Sequence, residues 1–204
     1  MHISWLGGTA VKIQAKPGDE EVLVVIDPYK PDTGTFPRSL TPHIAIYTHG
    51  TNGSITLSGN PFVLSTPGEC ETKGVLMTAG FGGDGEHLIM RLDAEGMSVA
   101  HVGYTSHLPT DTELDILGDI DILILPVGGE PGYDAETAVK VVNLIEPKVV
   151  IPVGFKTDND LRLAGAEAFL REFGAKADAP ETKVILRKKD LPTEETQVVV
   201  LKKE

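Results

Sequence analysis

Residues 121–157 read DILILPVGGEPGYDAETAVKVVNLIEPKVVIPVGFKT, and this stretch decides the fold. The apolar run 120–125 lacks polar alternation, as in a strand buried on both faces. Asp134 stands where a helix N-cap belongs, ahead of an amphipathic run to Ile145. After Pro147 a second apolar run, 148–153, predicts another strand. Strand, helix and strand in alternation mark a layered α/β fold.

Working outward, Asp160 predicts the start of a helix to about residue 173, with Leu161, Ala164, Ala168 and Phe169 on one face and Gly174 as its stop. Closing strands are expected near 183–187 and 197–202. Upstream, Thr110-Asp111-Thr112-Glu113 is a capping-box sequence that predicts a short helix ending at Gly118. The first hundred residues read as short strands at 2–6, 10–15, 22–26, 43–48, 62–65, 74–79, 87–92 and 97–101. Turn chemistry separates them: Lys16-Pro17-Gly18-Asp19, Gly82-Gly83-Asp84-Gly85 and Asp93-Ala94-Glu95-Gly96. The stretch 27–42 is too rich in Pro, Thr and Asp for regular structure. No repeat or linker interrupts this plan, so residues 1–204 are expected to form one domain of two facing sheets with helices outside.

Composition narrows the function. Eighteen basic against thirty acidic residues give a net charge of −12, which repels phosphate backbones and anionic lipid and argues against nucleic acid as a partner. The basic cluster Arg187-Lys188-Lys189 beside Asp190 reads as a solvated strand end. No apolar run is long enough for a membrane span, and the chain enters a strand-like HISWL at once, so the expected address is cytoplasmic. The single cysteine, Cys70, excludes a disulfide and a thiolate zinc site, leaving His and carboxylates as candidate metal ligands. Its neighbours Glu69 and Glu71 disfavour a nucleophilic thiolate. Ser54 and Ser106 lack the Gly-x-Ser-x-Gly elbow of a serine hydrolase.

Ligand sites in layered α/β folds lie where strands give way to loops. Four loops qualify here: Asp27-Pro28-Tyr29, residues 48–54 (THGTNGS), His101-Val102-Gly103-Tyr104, and Pro152-Val153-Gly154-Phe155-Lys156. Tyr104, Tyr133 and Phe155 are candidates to line a partly apolar cleft among them. Gly128-Gly129 before the Asp134 helix suits a tight turn rather than an anion site, since Glu130 and Asp134 oppose an anion.

The ordered segments WLGG, VVIDPY, YTHGTNGS, TPGECETKG, AHVGYTSH, DILILPVGG and VVIPVGFKT resemble the metallo-beta-lactamase superfamily. They are most similar to its small zinc-dependent hydrolases near the ascorbate-6-phosphate lactonase branch. The resemblance covers about residues 1–157. It implies a four-layer alpha-beta-beta-alpha sandwich with one or two zinc ions at one edge of the sheets, where a metal hydroxide attacks esters, lactones, lactams or phosphodiesters. Against the family signature His-x-His-x-Asp-His, this chain has His49, Gly50, Thr51, Asn52, Gly53 and Ser54. Tyr104 occupies the place of a bridging aspartate and Gly154 that of a last histidine, and the early Gly-His-Ser is Gly7-Gly8-Thr9. Catalytic zinc needs three protein ligands and an open position.

Two readings follow. In the first, the standard zinc site is lost, no cofactor is expected, and the cleft of Asp27, His49, Thr51, Asn52, Ser54, His101, Tyr104, His107, Gly154, Phe155 and Lys156 binds a small molecule or a protein partner without metal-dependent catalysis. In the second, Asp27, His49, His101 and His107 rebuild a non-standard metal centre, zinc is the cofactor, and the chain is a metal-dependent hydrolase, with His49, Asp27 and His107 as catalytic candidates. The sequence leaves oligomeric state open.

Overall fold

The computed structural model describes residues 1–37, 40–176 and 179–204. Arg38 and Ser39, within the expected irregular stretch 27–42, lie outside the described residues. In chain order the elements are β1 (His2–Gly7), β2 (Ala10–Ala15), β3 (Val22–Ile26), β4 (Ile44–Ile46), β5 (Phe62–Leu64), β6 (Gly68–Thr72), β7 (Val75–Phe81), β8 (Leu88–Ala94) and β9 (Met97–His101). Then follow α1 (Asp111–Leu117), β10 (Ile122–Pro126), α2 (Ala135–Ile145), β11 (Val149–Val153), α3 (Glu167–Phe173), β12 (Lys183–Ile185) and β13 (Gln197–Val198). They build two sheets, of order β12-β1-β2-β3-β4-β5 and β13-β11-β10-β9-β8-β7-β6.

The inward faces of both sheets meet in one core containing Trp5, Ile13, Ile26, Ile46, Met77, Met90, Ile124 and Ile151. β9, β10, β11 and β13 run parallel, and every residue of β10 and β11 is buried, because helices cover the face turned away from the core. That second layer packs Leu117 of α1, Val141 and Val142 of α2 and Phe169 of α3 onto Leu123, Leu125 and Val150. The fold is the expected α/β sandwich. Its described helices lie on the seven-stranded sheet; the outer face of the other sheet, with Leu6, Ala10 and Val25, is covered by Leu40, Tyr29, Phe36, Ile55 and Leu57 from irregular segments.

Local chemistry explains the boundaries. Thr110 and Glu113 form the capping box, each side chain accepting from the other's backbone N–H, and Asp134 caps α2 through the Thr137 N–H at 2.8 Å. At the turn between β8 and β9, Glu95 and Gly96 both take positive φ, 55° and 69°, as a two-residue hairpin of type I′ requires. The loop at 82–85 also closes a hairpin, between β7 and β8.

Four expectations need correction. The last helix begins at Glu167, not Asp160: the Asp160 carboxylate accepts the Arg162 N–H in a local turn. Backbone bonds from Ala164 N–H to Gly128 O and from Lys156 N–H to Ala164 O commit the following residues to neighbouring loops. Leu161 is consequently 69% exposed. β6 was not expected, because GECET carries the charge and small residues of an edge strand rather than an apolar run. The 197–202 strand shortens to residues 197–198, with Leu201 and Lys203 making only isolated bridges. Lys188 is no free solvated cation: its amine reaches both oxygens of buried Asp121, at 2.9 and 2.7 Å.

Candidate functional site

Five chain segments leave their strands at one mouth between the sheets: Gly8-Thr9 after β1, Asp27 after β3, Thr48-His49 after β4, Gly103-Tyr104 after β9 and Gly154-Phe155 after β11. Main-chain bonds fix its frame. Gly154 N–H donates to Gly8 O at 2.8 Å, Leu88 N–H to Thr48 O at 2.6 Å, Val127 N–H to Val153 O at 2.9 Å and Lys30 N–H to Gly53 O at 2.7 Å. Gly154 has φ 58°, a conformation that side chains resist.

Asp27 is the buried centre, 3% exposed and itself at φ 50°. Its Oδ1 accepts the Thr48 N–H at 2.7 Å; its Oδ2 accepts the hydroxyls of Thr48 at 2.7 Å and Thr9 at 3.0 Å. The Thr48 hydroxyl proton is therefore spent on Asp27, so its oxygen accepts from His49 Nδ1 at 3.2 Å. That nitrogen lies 3.6 Å from Asp27 Oδ2. His101, 1% exposed, accepts the Gly103 N–H on Nδ1 at 3.1 Å and so donates from Nε2 to the Thr9 carbonyl at 2.9 Å. Burial holds its pKa below the ordinary imidazole value against the pull of the Asp27 charge.

Tyr104 crosses the mouth. Its ring lies 6.2 Å from that of His49, and a Cβ on Gly154 would sit 3.4 Å from Tyr104 Cε1 and 2.9 Å from Pro126 Cβ. Beside it is a cavity of about 210 Å³ lined in part by Gly8, Tyr29, Lys30, Tyr104, Phe155 and Arg162. Phe155 packs against Trp5 with ring centroids 4.2 Å apart and the rings tilted by 37°.

The expected cleft residues thus divide. Asp27, His49, His101, Tyr104, Gly154 and Phe155 meet at the mouth. Thr51 and Asn52 are exposed, Ser54 pairs with Tyr29 across an isolated bridge, and Lys156 is exposed outside the cavity lining. His107 belongs to another cluster: its Nδ1 meets the Leu108 carbonyl at 2.9 Å, its Nε2 stands 4.0 Å from Glu113, and its ring packs over Gly83. Tyr133 is 1% exposed within the helical layer and lines no cleft. Gly128 serves a tight contact, since a Cβ there would be 2.2 Å from the Gly154 carbonyl. Among the described residues, no group of three or more His, Cys, Asp and Glu is placed to hold a metal ion. Thr9, Thr48 and Tyr29 were missed as site residues. The available signal was Asp27 itself, a carboxylate ending an apolar strand, which needs donors from adjoining strand ends.

A family profile described as a beta-lactamase superfamily domain matches residues 2–154. The chain belongs to this superfamily. A superfamily relative from Methanosarcina mazei, named UPF0173 metal-dependent hydrolase, is 26% identical, with 91% of this chain and 95% of that protein covered. Other relatives match locally: a UPF0173 protein of Pyrococcus furiosus is 34% identical over 74 residues, 36% of this chain and 33% of that protein. The chain thus spans about a third of the length of such relatives. Among solved structures, a Thermotoga maritima protein provisionally named a Zn-dependent hydrolase of the metallo-beta-lactamase superfamily superimposes with TM-score 0.84 at 26% identity, covering 98% of each chain. Igni18, a metallo hydrolase of Ignicoccus hospitalis, superimposes with TM-score 0.65 at 16% identity, over 91% of this chain and 99% of that one; that likeness concerns the fold alone. Among the described residues, no helix is long and apolar enough to cross a membrane.

Proposed function

We propose that the mouth of this superfamily fold binds a small molecule without a resident zinc ion, and that the standard metal centre has been replaced by an internal hydrogen-bond network. One observation carries the reading: Asp27 already accepts three hydrogen bonds and His101 uses both ring nitrogens. A zinc ligand must turn a lone pair to the metal at about 2.0–2.2 Å, and a catalytic site needs three such ligands; His101 has none to turn without breaking a buried bond, and Asp27 keeps one lone-pair direction only, on Oδ1. Pro126, 2.9 Å from the place of a Cβ at 154, crowds the position from which a side chain there would reach inward. The donors present therefore do not fit the metal that the relatives' names imply. A net charge of −12 supports a small molecule over nucleic acid.

The second reading is a metal-dependent hydrolase with a non-standard centre drawn from Asp27, His49, His101 and His107. The observation favouring it is the name of the Methanosarcina mazei relative, whose match runs over 91% of this chain. Elemental analysis of protein purified without chelator or histidine tag decides between the two. The first reading expects zinc well below one per chain and an unchanged melting temperature in EDTA. About one zinc per chain, lost on chelation together with an esterase or phosphodiesterase activity, would establish the second.

A further inference from the structure

The cavity beside Tyr104 has a lining whose chemistry is one-sided. The Tyr29 oxygen accepts a hydrogen bond from Asn159 Nδ2. Asn159 is locked in that orientation because its Oδ1 accepts Lys203 Nζ at 2.6 Å and its Nδ2 also donates to Thr35 O at 3.1 Å. The Tyr29 O–H proton is thereby free to donate. The Tyr104 hydroxyl has no hydrogen-bonded ionisable partner among the described residues, and a Cβ on Gly8 would be 3.2 Å from it and 3.6 Å from Tyr29 Cε1, so the two phenols converge over the Gly7-Gly8 turn. Burial, more than the nearby Asp158 and Asp160 charges, raises the Tyr29 pKa, and burial raises that of Tyr104 further. Both remain O–H donors throughout the physiological range.

Lys30 stands on the rim with no ion pair among the described residues, whereas Arg162 is engaged by Asp160 at 3.0 Å. Pro31, Phe155 and Leu163 supply an apolar wall. About 210 Å³ is below the ~300 Å³ at which sites for drug-sized ligands begin.

Resting on the proposed metal-free reading of the mouth, we infer that this cavity binds a small monocarboxylate with a short apolar body, its oxygens accepting from Tyr104 and Tyr29 near Lys30. Asp32 and Asp160 in the lining, and the acidic chain as a whole, oppose a phosphate dianion, which would need more cationic donors than one lysine.

Trp5 is the only tryptophan. It packs against Phe155 and donates from Nε1 to Gly8 O at 2.8 Å, so its emission reports on two walls of the cavity. The test titrates benzoate, benzamide, benzyl alcohol and inorganic phosphate into metal-analysed protein while following Trp5 fluorescence. Saturable binding of benzoate is expected, at least about tenfold tighter than the amide or alcohol, since hydrogen bonds to a charged acceptor are the stronger ones. Tyr104→Phe should weaken benzoate about tenfold with the melting temperature retained, and Lys30→Ala, an exposed change, should weaken it less. Equal affinity for benzoate and benzamide, phosphate binding as tight as benzoate, no saturation, or an unaffected Tyr104→Phe would each overturn the inference. Failure in metal-free protein overturns this inference alone; stoichiometric zinc in the protein as purified overturns the reading beneath it.

Discussion

Thr48 holds Asp27 with both of its donors, the backbone N–H reaching Oδ1 and the hydroxyl reaching Oδ2, each at 2.7 Å. Together with Thr9, this makes the carboxylate a keystone between β1, β3 and β4. Thr48→Val keeps shape and loses one buried charged hydrogen bond, so it should cost about 1–3 kcal/mol. Asp27→Ala strands three donors and places a Cβ-only residue at φ 50°, so about 3–4 kcal/mol is expected. Urea unfolding of the two variants checks the order; Asp27→Ala proving the milder would contradict it.

Gly154 and Gly53 stand where the family resemblance implies ligands, and both have positive φ, 58° and 76°, yet their surroundings differ. Nothing lies within 4 Å of a Cβ at Gly53, whereas one at Gly154 meets Pro126 at 2.9 Å. Gly53→Ala should cost the backbone term of roughly 1–2 kcal/mol, and Gly154→Ala about 2–4 kcal/mol because overpacking adds to it. Equal costs in denaturant titration would sink the distinction. Restoring His at 154 along with Thr51→His, Gly53→Asp, Ser54→His and Tyr104→Asp therefore meets a steric obstacle before any coordination chemistry begins.

Glu113 does more than cap α1. Its Oε2 accepts the N–H and the hydroxyl of Thr110, both at 2.7 Å, and its Oε1 accepts the Gly83 N–H of the β7–β8 loop at 3.1 Å. Thr110→Ala should cost about 1 kcal/mol, and Glu113→Ala about 2–3 kcal/mol, since two backbone donors lose their acceptor. Hydrogen exchange at Gly83 should accelerate markedly in Glu113→Ala. An unchanged rate there would show that the loop is held by something else.

At the opposite end of the strands Asp121 titrates at about 2: burial works against its charge, and hydrogen bonds from Lys148 and Lys188 overcome that cost. Because the folded value lies below the unfolded one, the carboxylate's contribution is complete above about pH 5. It is lost as pH falls toward 2. The shift from 3.8 corresponds to roughly 2 kcal/mol, and solvent around the half-exposed lysines reduces it to about 1–2 kcal/mol. Stability measured from pH 6 to 2 should fall less steeply in Lys148→Met/Lys188→Met than in the parent protein. Parallel acid limbs would refute the assignment.

Much of the architecture could be read in advance because it depends on local rules. The capping box at Thr110, the cap at Asp134 and the apolar runs of β10 and β11 are set by neighbours within a few residues. The start of α3 was not, because Asp160 satisfies a turn and a helix start with the same side chain, and Ala164's distant backbone partners decided between them. The meeting of His49, Tyr104 and Gly154 followed from the family resemblance; the residues alone showed only that each comes after an apolar strand. Which groups engage Asp27 did not: the same Thr hydroxyls that are poor zinc ligands are good donors to a carboxylate, and only three-dimensional approach separates those roles. Likewise Tyr104 and Tyr133 look alike in sequence, yet one borders the mouth and the other is buried in the helical layer.

The main-chain hydrogen bonds joining Gly154 to Gly8, Val127 to Val153 and Leu88 to Thr48 have a consequence for how much kinship in fold says about chemistry. They shape the opening with atoms that every residue type except proline possesses, and side chains merely furnish it. Exchange of a histidine for a tyrosine or a threonine in such a socket leaves its outline standing, so superposition of backbones and agreement of reactions are separate questions, answered by different atoms.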